Sequence, residues 1–236
     1  MIFDPLYFLY LLPGLLLGAW AQFKVSSTFR KYRTVSFQNH MNGAEVAQEI
    51  LNTSGIRDVK VERVAGFLSD HYDPRSKTLR LSPEVYDGRS VASAGIAAHE
   101  VGHALQHATG YAPLGIRSAL VPAAQIGSNS WIWLFMGGMF LGAASPVLGK
   151  FLLFSAVILF GATVLFQLVT LPVEFDASAR ALVALRSGGI LAPGEDKGAK
   201  KVLDAAFLTY FAGLVTAVMT LLYLLVRSGL LGGRSD

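Results

Sequence analysis

The sequence predicts a helical membrane protein with about four transmembrane helices and one small α+β domain. Of its 236 residues, 53% are hydrophobic and only 15% are charged, and the mean hydropathy is +0.47. A soluble domain carries about 25% charged residues, and here the charge is missing from a few long uncharged runs. This pattern excludes a disordered chain, a coiled coil and an ordinary soluble enzyme.

Four segments lack Asp, Glu, Lys and Arg over the roughly 20 residues that a transmembrane helix needs. They are Pro5 to Phe23, Ser118 to Gly149, Phe151 to Val173 and Ala205 to Val226. The second run is too long for one perpendicular span. We expect its helix to run from near Leu120 to a tight turn at Ser145-Pro146. Alternatively, the more polar stretch Pro122 to Ser130 lies at the membrane surface and only the later part spans.

The first run is predicted to be an uncleaved N-terminal anchor, residues 1–23. Ala19-Trp20-Ala21 has the form of a signal-peptidase site, but a signal peptide carries positive charge before its apolar core. In this chain Asp4 is the only charge before the core, and the basic residues begin at Lys24. That polarity favours an anchor whose N-terminus lies outside.

Lysine and arginine are distributed unevenly between the loops. The segment from Lys24 to Arg117 holds twelve of them and the segment from Arg180 to Lys201 holds five, whereas Lys150, Arg227 and Arg234 remain for the opposite side. The positive-inside rule therefore places both large segments in the cytoplasm of a multi-pass protein of the cell (inner) membrane. A net charge of +4 could indicate nucleic-acid binding, but a membrane protein gathers Lys and Arg on its cytoplasmic side, so no nucleic-acid partner is predicted.

These runs divide the chain into an anchor (1–23), a cytoplasmic α+β domain (24–117), two transmembrane helices (118–173), a cytoplasmic segment (174–204) and a C-terminal transmembrane helix with its tail (205–236). Within the α+β domain, apolar spacing predicts a helix behind Asn42 and a second one from Val91 to about Ala108. Alternation predicts strands at Val59 to Val64 and at Ser76 to Leu81, in a small antiparallel sheet. The second strand is either a free edge that pairs with an extended substrate or an internal strand.

The predicted helix from Val91 contains the pattern His99-Glu100-Val101-Gly102-His103. Two histidines at i and i+4 lie on one helical face, where both imidazoles can reach one Zn²⁺. Glu100 is then held beside the metal as a general base for a zinc-activated water. The alternative is a surface helix with two solvated histidines, which the apolar context AGIAAHEVGHAL disfavours. The chain has no cysteine, so thiolate zinc sites, disulfides and Cys nucleophiles are excluded.

A catalytic zinc site usually has three protein ligands and one open position. The elongated metzincin pattern would need His at position 109, which is Thr109, and no acid occurs between Val101 and Val173. Glu174 follows the third apolar run directly, and an ionisable group at membrane depth is a functional candidate. We expect Glu174 to be the third ligand and Asp176 to orient a ligating histidine. The alternative is that Glu174 marks only the end of a span.

Three strings resemble the YugP-like membrane zinc metallopeptidases, a neutral zinc metallopeptidase family: DHYDPRSKTLRLS (70–82), AAHEVGHALQHA (97–108) and LPVEFDAS (171–178). More distantly, the chain is similar to the HtpX-like and CAAX-prenyl membrane endopeptidases. The resemblance implies a gluzincin-like metalloprotease domain in which His99, His103 and Glu174 bind Zn²⁺. Those relatives read E-x-x-A-D, whereas here Asp176 stands earlier and Ser178 occupies the last position.

Four further residues are weaker candidates. We expect His107, one turn past His103, to support or pack against the site rather than bind metal. His71 or Tyr72 supplies an oxyanion donor or belongs to a local turn, and Arg180 clamps a substrate carbonyl or anchors a helix end.

The sequence thus predicts a zinc-dependent endopeptidase of membrane-associated proteins or peptides, in contact with lipid. The rival hypothesis is a zinc-bound membrane scaffold or chaperone-like module, which has no need of Glu100.

Overall fold

The computed structural model describes residues 4–231, and the chain is mainly helical. The helices are α1 (Pro5–Tyr32), α2 (Gly43–Thr53), α3 (Pro83–Tyr86), α4 (Val91–Ala108), α5 (Ala112–Leu141), α6 (Pro146–Ser187) and α7 (Asp196–Arg227). The strands are β1 (Lys60–Arg63), β2 (His71–Asp73) and β3 (Thr78–Leu81). The first three residues of the predicted anchor and the tail after residue 231, with Arg234, lie outside the described residues.

The chain divides into two compact units. One contains the residues up to Trp20, Gly115–Leu171 and the residues from Thr209, and the other contains Ala21–Leu114 and Pro172–Leu208. Helices α1, α5, α6 and α7 each contribute residues to both units. The domain boundaries inferred from the charge pattern stay predictions.

Three of the described helices, α1, α6 and α7, are long and apolar enough to cross a membrane, judged by length and composition. Large apolar side chains along them are exposed, such as Leu16 on α1 and Phe151 on α6, which suits contact with lipid. Helix α5 is not among the three. Gln125, Ser128 and Asn129 lower its hydropathy, so the fourth predicted transmembrane helix stays a prediction.

Helix α6 is one uninterrupted helix of 42 residues, although the sequence suggested that its apolar part ends at Val173. At 1.5 Å per residue it is about 63 Å long, about twice the thickness of a bilayer's hydrocarbon core. A helix of this length that crosses the membrane therefore extends well beyond it. Residues from Glu174 to Ser187 form the last three to four turns of α6.

Local signals in the sequence explain how the second unit's elements begin. Asn42 caps α2: its side chain accepts a hydrogen bond from the Glu45 amide at 2.8 Å, while the Glu45 carboxylate accepts one from the Asn42 amide at 2.7 Å. This reciprocal capping box satisfies two backbone donors that the helix would otherwise leave unpaired. Ser90 caps α4 by accepting a hydrogen bond from the Ser93 amide. The predicted helices behind Asn42 and from Val91 are confirmed.

The sheet has the order β1-β3-β2 and is mixed. Strand β3 pairs with β2 in antiparallel register and with β1 in parallel register, so the prediction of a purely antiparallel sheet is wrong. Residues 64–77, which include β2, connect β1 to β3. This connection is long enough to allow the parallel pairing of β1 with β3. Because β3 has a partner on each side, Thr78–Leu81 is an internal strand and not a free edge.

The core of the second unit lies between α2, the sheet, α4 and the last turns of α6. Leu79 and Leu81 of β3, Ile50 of α2, Val101 of α4 and Leu185 of α6 are all buried in it. Thirteen of the eighteen residues of α4 are buried. This burial holds α4 in a fixed position. A fixed helix is needed if the side chains on its remaining face are to form a site.

Candidate active site

Helix α4 presents the two motif histidines side by side. His99 and His103 are one turn apart, with ring centroids separated by 4.9 Å, and their side chains are only 12% and 9% exposed. The shared helical face predicted from the i, i+4 spacing is therefore present in the structure.

Helix α6 brings Glu174 to the same place. Its Oε2 atom lies 3.2 Å from Nε2 of His99 and 3.5 Å from Nε2 of His103, and its side chain is 2% exposed. One potential ligand atom from each of the three residues lies within 4.8 Å of the others. In a tetrahedral zinc site with bonds of about 2.0–2.1 Å, ligand atoms stand about 3.3 Å apart. Two imidazoles and a carboxylate at these distances fit Zn²⁺.

A glycine permits this approach of the two helices. A Cβ atom at Gly102 would lie 2.3 Å from the backbone oxygen of Ala177 in α6, a separation that real Cβ atoms do not show. Any side chain at position 102 would push α6 away from α4, and Glu174 would move with it. Packing against α6 therefore restricts position 102, the second variable position of the His-Glu-x-x-His motif, to glycine.

The hydrogen bonds of Gln106 fix the tautomer of His103. The side-chain nitrogen of Gln106 faces two acceptors, the Val173 backbone oxygen and Oδ2 of Asp176, each at 2.8 Å. Its Oε1 atom therefore faces Nδ1 of His103, at 3.0 Å. Because Oε1 only accepts, Nδ1 of His103 carries a proton and donates it. In the neutral imidazole, Nε2 then keeps the lone pair that can bind a metal on the side of Glu174.

Ser178 has the corresponding position for His99. Its hydroxyl lies 3.1 Å from Nδ1 of His99, while Nε2 of His99 points at Glu174. Ser178 follows Glu174 by one helical turn, so both lie on one face of α6. Each histidine is thus held through Nδ1 and offers Nε2 to the cluster, as is usual for metal-binding histidines.

Asp176 acts through Gln106 rather than on a histidine directly. Its Oδ2 atom accepts hydrogen bonds from Gln106 and from Nε of Arg180, the latter at 2.6 Å. Arg180 also donates to the hydroxyl of Thr109 and lies 5.5 Å from the centre of the Tyr111 ring. The expected direct contact between Asp176 and a histidine is absent from the described structure, and Arg180 anchors this network.

We expect Gln106→Leu to weaken zinc binding about 10- to 100-fold, the usual cost of removing a partner that orients a ligand. Leucine fills a similar volume, and Arg180 continues to pair Asp176, so the protein should still fold. Competition with a zinc chelator measures the affinity. Gln48→Leu, at an exposed position of α2, is the matched control, and equal affinities in the two variants would contradict the orienting role.

Glu100 is buried but not hydrogen-bonded. Its side chain is 8% exposed, and no described residue donates a hydrogen bond to its carboxylate. No buried polar side-chain atom in the described residues lacks a partner, so the Glu100 oxygens themselves remain accessible to water. A carboxylate that lies beside a cluster of possible metal ligands, and that no other group holds, is free to accept a proton from a water molecule.

Negative charge dominates the electrostatics of this site. Burial alone would lower the pKa of His103, but the hydrogen bond to Glu174 and the charges of Glu174 and Glu100 raise it above its ordinary value. Burial raises the pKa of Asp70, and the nearby charge of Glu100 raises it further, against the lowering effect of its hydrogen bonds from Ser82. The acids of the site thus favour a cation among the histidines.

His107 lies outside the three-residue cluster. Its Nδ1 atom is 2.8 Å from the hydroxyl of Tyr72 on β2, and burial together with the charges of Asp58 and Asp73 raises the pKa of Tyr72 to about 12. Tyr72 therefore keeps its proton at physiological pH. His71 is exposed and binds the Ser69 backbone oxygen through Nδ1. Of the two predicted oxyanion donors, Tyr72 is the one that forms a hydrogen bond with α4, through His107.

Sequence reasoning missed Gln106 and Ser178. Both follow a metal-ligand candidate at helical spacing, three residues after His103 and four after Glu174, which is the signal that could have identified them. Their residue types alone do not indicate a role in the site, because glutamine and serine are common on any helix.

Comparisons with known proteins agree with this geometry. Residues 7–229 match the sequence model of a family described as "Putative neutral zinc metallopeptidase". The chain is 46% identical over 206 residues to the "Putative membrane protease YugP" of Bacillus subtilis (strain 168). The aligned region covers 87% of this chain and 89% of that protein. No solved structure matches the chain. The chain therefore belongs to the neutral zinc metallopeptidase family, and the protein is a membrane zinc metallopeptidase.

Proposed function

We propose that this protein is an endopeptidase in which His99, His103 and Glu174 bind Zn²⁺ and Glu100 is the general base. The observation that carries the proposal is the convergence of two Nε2 atoms and one carboxylate oxygen within 4.8 Å, next to a buried carboxylate without a hydrogen-bond partner among residues 4–231. A non-catalytic zinc scaffold would need the first feature but not the second.

Zinc, when bound, supplies Lewis acidity that polarises a carbonyl and acidifies a water molecule. The residues of the chain do the remaining work. Glu100 accepts a proton from the attacking water and transfers it to the nitrogen of the leaving amine. Gln106 and Ser178 keep the two imidazoles oriented, and Gly102 lets Glu174 stay close to them.

The activity is tested by incubating the purified protein with casein or a peptide library. We expect cleavage that stops when a zinc chelator is added and returns when zinc is restored, because the ligands are nitrogen and oxygen atoms that release and rebind the metal reversibly. Cleavage that continues at full rate after complete removal of zinc would contradict the proposal.

We further propose that the substrates are membrane-associated proteins or peptides and that they are cut near the cytoplasmic face. The support is the excess of Lys and Arg in the segments 24–117 and 180–201. In this arrangement the protein crosses the cell (inner) membrane several times, and α5 provides a fourth span.

A reporter that is active only in the cytoplasm tests this orientation. Inserted near Gly194, between α6 and α7, it should be active because this segment belongs to the basic side of the chain. Fused after Asp236, it should stay silent. The reverse pattern would place the catalytic residues outside the cytoplasm.

A further inference from the structure

A cavity separate from the proposed zinc ligands lies in the same compact unit as those ligands, between α1 and α7. Its volume is about 540 Å³, which is within the usual range for small-molecule sites. Nothing in the proposed peptidase mechanism uses it. It is lined by Lys24, Ser27, Thr28, Lys31, Tyr32, Lys201, Asp204, Ala205 and Leu208.

The lining consists of one face from each helix. On α1, Lys24, Ser27, Thr28 and Lys31 follow the spacing i, i+3, i+4, i+7, which puts them on a single helical face. Positions 201, 204, 205 and 208 of α7 repeat the same spacing. The cavity is therefore a groove formed by two regular helices and not an irregular gap between loops.

The groove carries net positive charge. Among the described residues, the ammonium groups of Lys24, Lys31 and Lys201 form no ion pair. The acid in the lining, Asp204, is held by Lys200, whose Nζ atom lies 2.7 and 2.8 Å from its two oxygens. The three cations thus have no counter-charge left in the groove, and an anion would supply it.

Hydroxyl groups accompany the three lysines. In the described part of the chain, the side-chain hydroxyls of Thr28 and Tyr32 have no hydrogen-bond partner, while Ser27 donates to the Lys24 backbone oxygen at 3.1 Å. Free hydroxyl donors next to ammonium groups match the oxygens of a phosphate group, which only accept hydrogen bonds when ionised.

The groove also lies where two candidate membrane spans change from apolar to polar. Lys24 follows directly after the uncharged run of α1, and Asp204 directly precedes the uncharged run of α7. Each helix thus places its groove residues at the level where phospholipid headgroups meet a transmembrane helix. Ala205 and Leu208 add an apolar side to the lining.

We infer that this groove binds the phosphate headgroup of an anionic phospholipid. The three lysines and two hydroxyls would recognise the phosphate, and the apolar residues would contact the start of the acyl chains. Free phosphate shares the first of these interactions but not the second. The level of the groove along both spans and its volume favour the lipid.

Native mass spectrometry of the delipidated full-length protein in a non-ionic detergent tests this inference. The probes are dioleoyl phosphatidylglycerol, dioleoyl phosphatidylcholine and inorganic phosphate. We expect phosphatidylglycerol to bind at least tenfold more tightly than the other two. Each lysine near an anionic lipid surface contributes about fivefold in affinity, so Lys24→Gln/Lys201→Gln should weaken phosphatidylglycerol binding at least tenfold.

The matched control is Lys60→Gln/Lys197→Gln, which removes the same charge from two exposed positions outside the groove and should change the affinity less than twofold. An equal loss in both pairs would overturn the site, as would equal binding of phosphatidylcholine. Inorganic phosphate binding as tightly as the lipid would overturn the headgroup assignment. If the Lys24→Gln/Lys201→Gln variant does not fold, Lys31→Gln is tested in its place. Its affinity for phosphatidylglycerol should fall about fivefold, and an unchanged affinity would contradict the inference.

Discussion

Glu100→Gln is expected to lower peptide cleavage by a factor of about 10² to 10⁴ while zinc content and folding stay unchanged. General acid–base groups contribute this much to rates, equivalent to about 3–5 kcal/mol of activation barrier. Glutamine keeps the size of the side chain but cannot accept the proton from the attacking water. Because no described residue donates a hydrogen bond to Glu100, the substitution should break few contacts in the resting protein.

Steady-state cleavage of one chelator-sensitive peptide, measured beside the zinc content of the same samples, gives both readouts. Glu49→Gln, an exposed carboxylate on α2, is the control for the loss of one negative charge and should keep wild-type turnover. Wild-type turnover in Glu100→Gln would remove Glu100 from the mechanism. A protein that serves only as a scaffold would show no cleavage in either sample.

Glu174→Ala is expected to reduce the zinc content from about one ion per chain to a small fraction of that value. The substitution removes the carboxylate oxygen that lies 3.2 and 3.5 Å from the two Nε2 atoms. It leaves two imidazoles, whereas protein zinc sites need at least three ligands from side chains. Cleavage should disappear together with the metal.

Elemental analysis after dialysis against a weak chelator measures this loss. Glu84→Ala changes an exposed acid on α3 and should retain full zinc content. Full zinc occupancy in Glu174→Ala would show that another group binds the metal. Asp176 and His107 are the alternative ligands, and their alanine variants would then be measured in the same way.

Much of the fold is predictable where the signal is local. The capping box at Asn42 and the start of α4 at Ser90 involve neighbours in sequence, and both begin helices where the residue pattern indicates. The parallel pairing of β1 with β3 was not predictable, because strand alternation identifies a face but not a partner. The uncharged run of α6 ends at Val173 while the helix continues to Ser187, because hydropathy reports where an apolar run ends and not where the helix ends.

The same distinction applies to the site. The spacing of His99 and His103 identifies one helical face, and the absence of acids between Val101 and Val173 leaves Glu174 as the first acid after the motif. The roles of Gln106 and Ser178 depend on how α4 and α6 pack. Helical spacing puts them near His103 and Glu174, but the contacts of Gln106 with Val173 and of Ser178 with His99 span 67 and 79 residues of sequence. Spacing alone therefore does not show which groups they bind.

Zinc X-ray absorption spectroscopy of the purified wild-type protein tests the central claim most directly. The geometry predicts one zinc ion bound only by nitrogen and oxygen, at about 2.0–2.1 Å, with two imidazoles among the ligands. Thiolate ligation is excluded because the chain has no cysteine. A spectrum with three imidazoles would contradict the assignment of His99, His103 and Glu174, and protein that binds no zinc would contradict the account as a whole.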